Sequence, residues 1–180
     1  FSEMITVENV KADTEMSAEE MITFIQDINR EYLDLQAKRE VLKTKIEELK
    51  TKRSMLEPFS SLEIDIKKVL AYKFMKVRFG RISIDYYYRL EKYLYDNLQG
   101  IFMEGTRSEH YVYGCYFVAN ADVGKVDSVF NSLHFERIPI VDEYEGMPAD
   151  ALLAIQKELK EARAKRKKLK KKMTQLVNEH

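Results

Sequence analysis

Residue types that bind metals or attack carbonyl carbons are scarce in this 180-residue chain. There are three histidines, His110, His134 and His180, and one cysteine, Cys115. A zinc site needs three or four converging Cys, His or carboxylate ligands. His180 is terminal, and the other two stand alone where strands or helices should end, so surface positions are expected for them. Cys115 lies in the apolar run Tyr113-Gly114-Cys115-Tyr116-Phe117-Val118, a setting that favours a buried and inert thiol. A lone cysteine supplies neither a disulfide framework nor a cysteine-based zinc site, and a reducing compartment is the default. No glycine-rich phosphate loop, HExxH or GxSxG occurs. The carboxylate pairs Glu19-Glu20 and Glu47-Glu48 fall on helix-periodic stretches where no cleft is expected, and read as solvated faces. Catalytic residues, metal ligands and cofactor sites are therefore not expected, and neither is a small-molecule substrate.

Two other groups of side chains suit binding. Tyr86, Tyr87 and Tyr88, with Tyr93 and Tyr95, form a tyrosine cluster on one helix-periodic stretch that also carries Arg89. Tyr87 belongs to the apolar face. Tyr86 and Tyr93 flank it on one side, and Tyr88 and Tyr95 on the other. Such rings either shield a core face or anchor a partner protein. Tyr86, Arg89, Tyr93, Tyr88 and Tyr95 are the candidate partner-binding residues. The second group is the basic run Lys165-Arg166-Lys167-Lys168 and Lys170-Lys171-Lys172. A solvated helix face neutralised by Asp27, Glu31, Asp34 and Glu40 is favoured there over an external ligand.

The elements that position these groups follow from punctuation and period. All six glycines and all three prolines lie between Pro58 and Pro148, and of the twenty aromatic residues only Phe1, Phe24 and Tyr32 lie outside that segment. Two helix-permissive flanks thus enclose an aromatic centre. In the first flank, Ser17 followed by Glu20 fits a capping box. Met21, Ile25, Ile28, Tyr32, Leu35, Leu42, Ile46, Leu49 and Leu56 then advance in steps of four and three, with Arg39 and Arg53 in two slots. That is the coiled-coil period. A helix of some forty residues is roughly 60 Å long and needs a partner along its seam. The second flank supplies one. Pro148 suits a first helical turn, and Leu152, Ile155, Leu159, Ala162, Leu169, Met173 and Leu176 repeat the alternation, with Arg166 in the vacant slot. Antiparallel pairing is expected, with Leu56 near Leu152 and Ile28 near Leu176.

In the centre the period changes to two. Met75, Val77 and Phe79 read as a strand ended by Gly80. Ser83 caps a helix with Ile84, Tyr87, Leu90, Leu94 and Leu98 on one face, stopped by Gly100. Ile101-Phe102-Met103 is a short strand closed by Gly105, and His110 to Val118 a longer one. Asp122 caps a helix with Val126, Val129, Phe130 and Leu133, and Phe135 to Val141 is a last strand. The order βαββαβ is the ferredoxin-like arrangement, with the first and third strands central and the fourth, carrying Pro139, at an edge. Pro58 to Leu70 should hold a helical turn or two. The fold class is α+β, a ferredoxin-like βαββαβ lobe inserted between two long helices forming an antiparallel coiled coil. The expected divisions are 1–15, a remnant of a preceding lobe whose Ile5, Val7 and Val10 alternate; 16–57, the first helix; 58–147, the lobe; and 148–180, the returning helix. The absence of an opening methionine suggests an excised piece of a longer protein.

Composition excludes other classes. Thirty basic and thirty acidic residues give a formal net charge of zero, which argues against a general polycation for nucleic acid. No apolar run reaches the length of a membrane span. The strand order is shared with the RRM, and the aromatic strand Tyr113 to Val118 resembles that module's, so an RNA-binding module on a basic coiled coil is the alternative reading. Its Arg/Lys-Gly opening is missing, and no nucleic acid is expected. A hinge of a chromosome-maintenance-type coiled coil is a third reading.

One family shares the ensemble. Phe74-Met75-Lys76-Val77-Arg78-Phe79-Gly80-Arg81-Ile82, then Leu98-Gln99-Gly100-Ile101-Phe102, Tyr116-Phe117-Val118, Phe135-Glu136-Arg137-Ile138-Pro139 and Gly146-Met147-Pro148 follow in order. The chain resembles the cytoplasmic N-terminal region of the V/A-type rotary ATPase subunit I, called subunit a in eukaryotes. The resemblance runs from about Leu56 to Leu176. It implies a non-catalytic stator element at the cytoplasmic face of a membrane. Its partners would be peripheral-stalk subunits, and a missing C-terminal half would join the membrane sector that carries protons or sodium ions.

Overall fold

The computed structural model describes residues 16–97, 100–140 and 143–179, with the side chains of 94–97 and 100 outside that description. The expected alternating stretch at Ile5, Val7 and Val10 lies outside the described residues, as do Leu98 and Val141. The elements are α1 (Ala18–Leu56), α2 (Ile66–Leu70), β1 (Met75–Ser83), α3 (Ile84–Asn97), β2 (Gly100–Arg107), β3 (Tyr111–Ala119), α4 (Val123–Ser132), β4 (Glu136–Arg137) and α5 (Pro148–Asn178). The fold is α+β. No helix among the described residues is long and apolar enough to cross a membrane. The chain divides into a helical unit, through Glu47 and from Lys160 onward, and an α/β unit, Glu48–Leu159.

In the helical unit, α1 opens on the capping box that the sequence specifies. The Ser17 N–H donates to Glu20 Oε2 at 2.8 Å, and the Glu20 N–H donates to Ser17 Oγ at 3.2 Å. Leu35 and Ile46 on α1, and Ala162 and Met173 on α5, are buried. Ile28, Tyr32, Leu42, Leu169 and Leu176 are half-buried, as are Arg39 and Arg166 in the charged slots. The heptad positions therefore form the seam. The N-terminal part of α1 and the C-terminal part of α5 share this unit, which makes the pair antiparallel. Ala37 to Leu42 face Lys165 to Lys172 across a common groove, in the register expected. At Met21 and Ile25 the apolar series continues but the side chains are exposed.

The α/β unit is built on an antiparallel sheet of order β2-β3-β1-β4, with β1 and β3 central. This is the ferredoxin-like order. One face packs on α3 and α4 through Ile82, Tyr87, Leu90, Val112, Tyr116 and Phe130. The opposite face carries Val77, Phe79 and Cys115, covered by Phe59, Leu62 and Val69 from the segment before β1. That segment is a 3-10 turn, Glu57–Phe59, followed by α2, which Asp65 caps by accepting from the Lys68 N–H at 3.1 Å.

Gly80 does not end β1. It sits mid-strand, paired with Gly114 of β3. A Cβ at Gly80 would run into the Phe135 ring and the Glu136 carbonyl, and one at Gly114 into the Phe102 ring and the Met103 carbonyl. The glycine pair makes room for two aromatic rings on the helix-covered face. Gly105 likewise lies within β2, at a register shift between Glu104 and Arg107. Asp122 precedes α4 without making a side-chain cap. The last strand is only two residues long, and just beyond it the Ile138 N–H donates to Phe79 O at 2.9 Å. Pro139 thus follows the edge strand instead of lying in it.

Between α4 and β4 the chain turns through His134, at φ 56° in the left-handed region. The Phe135 N–H reaches Phe130 O, the His134 N–H reaches Asn131 O, and the Phe130 and Phe135 rings meet at 5.4 Å. This is a Schellman ending with a histidine where glycine is commonest.

Candidate functional site

Asp85 lies in the first turn of α3, where its charge meets the positive helix end. Tyr87 and Leu90 face the core, which leaves Tyr86 and Tyr88 on opposite flanks of the buried ridge. Tyr86 is half-buried. Its ring lies 5.0 Å from that of His134, and the Arg89 guanidinium sits 5.3 Å from its centroid. Tyr93, seven residues on and so on the same flank, is exposed. Tyr88 is 59% exposed on the other flank, with its ring 6.5 Å from that of Tyr87. The structure therefore brings Tyr86 and Arg89 together and sets Tyr88 apart. The side chain of Tyr95 lies outside the described residues.

Beside Tyr88 the flank is ordered by charge. The Tyr87 hydroxyl donates to Glu104 Oε2 at 3.0 Å, Arg107 pairs with Glu104, and the Arg107 guanidinium lies 5.1 Å from the Tyr87 centroid. The hydrogen bond from Arg107 holds the Glu104 carboxyl below its ordinary value, against the opposing effect of burial, and the bond from Tyr87 adds to it. Burial first, then the Glu104 acceptor, pushes the Tyr87 phenol up. Tyr87 thus stays neutral and donates, which fixes the ring that supports Tyr88.

A further surface carries no motif. An open cleft of about 550 Å³ is lined by Met55, Pro58, Arg81, Tyr113, Ile138 and Pro139. Arg81 is committed within it, donating to Glu136 Oε2 at 2.8 Å and lying 4.0 Å over the Tyr111 ring. Ile138 and Pro139, which the sequence reads as part of a strand to Val141, lie beyond the end of β4 at Arg137 and line this cleft.

The metal-ligating and nucleophilic types fall as follows. His110 and His134 are exposed and apart, and His180 lies outside the described residues. Cys115 is fully buried, and burial pushes its thiol up to about 12. Among the described residues no group of three or more His, Cys, Asp or Glu is placed to hold a metal ion. The sheet face that stacks bases in an RRM is covered here by Phe59, Leu62 and Val69, with Tyr113 and Phe117 packed against them.

The expected neutralisation of the basic run by α1 is not what the structure shows. Asp27 pairs with Arg30 at 3.7 Å, Asp34 with Lys38 at 2.7 Å and Glu40 with Lys43 at 4.0 Å, all along α1 itself. Partners three or four residues away on one helix need no interhelical geometry. Among the described residues, no ion pair involves Lys165 to Lys172.

No family model matches the chain, and no curated protein does. Among solved structures it is similar to the cytoplasmic N-terminal domain of subunit I, the homolog of subunit a, of a V-ATPase. The TM-score is 0.52 at 12% sequence identity, over 79% of this chain and 50% of that one. The likeness is one of fold, and this chain spans half the length of that protein.

Proposed function

We propose that this chain is a non-catalytic stator element of a V/A-type rotary ATPase, the cytoplasmic N-terminal part of subunit I or a. In this reading it docks peripheral-stalk subunits and links them to the membrane sector. The observation that carries the reading is the fold likeness to the corresponding V-ATPase domain over 79% of the chain. The glycine-bounded strings of β1, β2 and the α5 start, in family order, add to it. The chemistry agrees, since transmitting torque asks for packed helices and anchored contacts, and the Cys115 thiol and the scattered histidines offer no reactive group. Docking is assigned to the outer flank of α3, where Arg89 steadies Tyr86 and Tyr93 stands exposed. Aromatic and arginine side chains of this kind are favoured anchors.

The test is co-expression with the peripheral-stalk subunits of the same source, followed by size-exclusion chromatography. Co-elution is expected, with affinity falling about tenfold or more in an Arg89→Ala/Tyr93→Ala double variant. Both side chains are exposed, so the variant should keep the wild-type circular dichroism spectrum. Stalk subunits that never co-elute with the wild-type chain overturn the docking role.

A further inference from the structure

Between Lys160 and Lys172, α5 carries nine basic residues and one acidic residue, Glu161. Three of the basic residues, Lys165, Lys168 and Lys172, follow one another at helical spacing along one side of the seam. They line a groove of about 560 Å³ whose other wall is α1. Its lining between the lysines is apolar, with Leu42 and Leu169 at the bottom and Ala37 and Val41 toward the α1 rim. Val41 is 70% exposed there, and Leu42 and Leu169 are half-buried. On the α1 side Lys38 is held by Asp34 at 2.7 Å. Among the described residues the α5 lysines have no such partner.

We propose that this lysine-rimmed groove of the helical unit docks an acidic amphipathic helix of a partner protein. The argument is complementarity in two respects. An apolar floor between parallel walls accepts side chains repeating every three or four residues from a third helix. The rim of unpaired lysines selects one with glutamates or aspartates beside those apolar residues. A nucleic acid would meet the lysines but leave Val41 and Leu42 facing phosphate and sugar. A flat membrane surface would meet the lysines and Val41 but not the half-buried Leu42 and Leu169 between the helices. The inference rests on the groove alone and not on the stator reading.

The probe is a fluorescein-labelled synthetic helix of three heptads, leucine at the a and d positions and glutamate at e and g, titrated with the 180-residue chain by anisotropy. Saturable binding is expected, weakening as salt rises from about 0.05 M to about 0.5 M. A Lys165→Glu/Lys168→Glu/Lys172→Glu variant should lose about tenfold or more. So should Val41→Asp, whose exposed position leaves the seam intact. The Arg89→Ala/Tyr93→Ala variant should bind the probe unchanged, so the outcome does not depend on stalk docking. Equal binding of a probe with lysine at e and g overturns the proposal. Tighter binding of a 20-nucleotide RNA, or of phosphatidylserine vesicles, than of the acidic helix also overturns it and assigns the lysines to that ligand instead. Unchanged binding by both groove variants overturns it as well.

Discussion

In the helical unit the ion pairs join neighbours on one helix: Arg30 with Asp27, Lys38 with Asp34 and Lys43 with Glu40, all well exposed. In the α/β unit Arg53 with Glu57 and Arg107 with Glu104 are such neighbours too, but further pairs join residues distant in the chain. Lys52 reaches Glu143, Lys67 reaches Glu145, and Arg78 and Arg137 from two strands both reach Asp127 on α4. Tyr116 of β3 completes that last group, its hydroxyl donating to Asp127 Oδ1 at 2.6 Å. Exposed pairs along a helix contribute little and specify no tertiary contact. A half-buried carboxylate shared by three elements specifies which element lies beside which. The helical unit relies on its apolar seam for cohesion and leaves a basic surface unspent. The α/β unit uses both aromatic packing and charge to fix one arrangement.

The largest effect that separates the two units should come from Gly114→Ala. The added methyl on the central strand β3 collides with the Phe102 ring and the Met103 carbonyl of its neighbour β2. Overpacking against backbone should destabilise the α/β unit by about 2–3 kcal/mol. Near-ultraviolet circular dichroism, dominated here by the tyrosines of that unit, should lose its signal at lower denaturant concentration. The same methyl at Gly124, with nothing within 4 Å, is the control. Equal behaviour of the two variants would contradict the packing described for the Gly80–Gly114 pair.

Next comes Asp127→Ala. It strands the buried Tyr116 hydroxyl and removes the shared partner of Arg78, whose Nε already lacks one, and of Arg137. A loss of about 2 kcal/mol is expected, partly restored by Asn, which still accepts from Tyr116. Burial disfavours the ionised Asp127. The hydrogen bonds from Tyr116 and Arg78 and the charges of Arg78 and Arg137 outweigh it and hold the carboxyl below its ordinary value. A carboxyl depressed by folding stabilises the fold above its unfolded value, about pH 3.9, and that contribution is lost as pH falls through the folded value. Wild type should therefore lose stability in this acid window more steeply than Asp127→Ala. Parallel acid profiles would show that Asp127 is not the linked group.

The alternation of periods made most of this legible in the sequence. Ser17 and Glu20 announced the start of α1, the steps of four and three announced the seam, and Pro148 announced α5. The order of strands announced which two are central. Local signals failed where tertiary contact decides. Gly80 looks like a stop, yet it is a mid-strand glycine because Phe135, fifty-five residues later, needs its space. Asp122 looks like a cap, yet it makes none, and the carboxylate that matters on α4 is Asp127. The acidic residues of α1 look complementary to the basic run of α5, yet their own helix supplies nearer partners. At the candidate docking flank, helical spacing already set Tyr86 and Tyr93 on one side of the core face and Tyr88 on the other. What the spacing did not show is the contact of the Arg89 guanidinium with the Tyr86 ring and of that ring with His134, forty-eight residues later.

The smallest effect tests whether the seam or the surface charge holds the helical unit together. Arg166 occupies a half-buried seam slot between Ala162 and Leu169. Arg166→Leu places apolar surface where the heptad asks for it and should raise stability by about 1 kcal/mol. Asp34→Ala removes the exposed pair with Lys38, 58% exposed at the carboxylate, and should change stability by less than about 0.5 kcal/mol. Far-ultraviolet melts report both, because α1 and α5 supply most of the helical signal. A gain from Arg166→Leu with no loss from Asp34→Ala assigns cohesion to the seam. No gain would mean that the Arg166 methylenes already cover the slot while the guanidinium reaches water. A larger loss from Asp34→Ala than gain from Arg166→Leu would reverse the contrast, making the local ion pairs the main support of the helical unit.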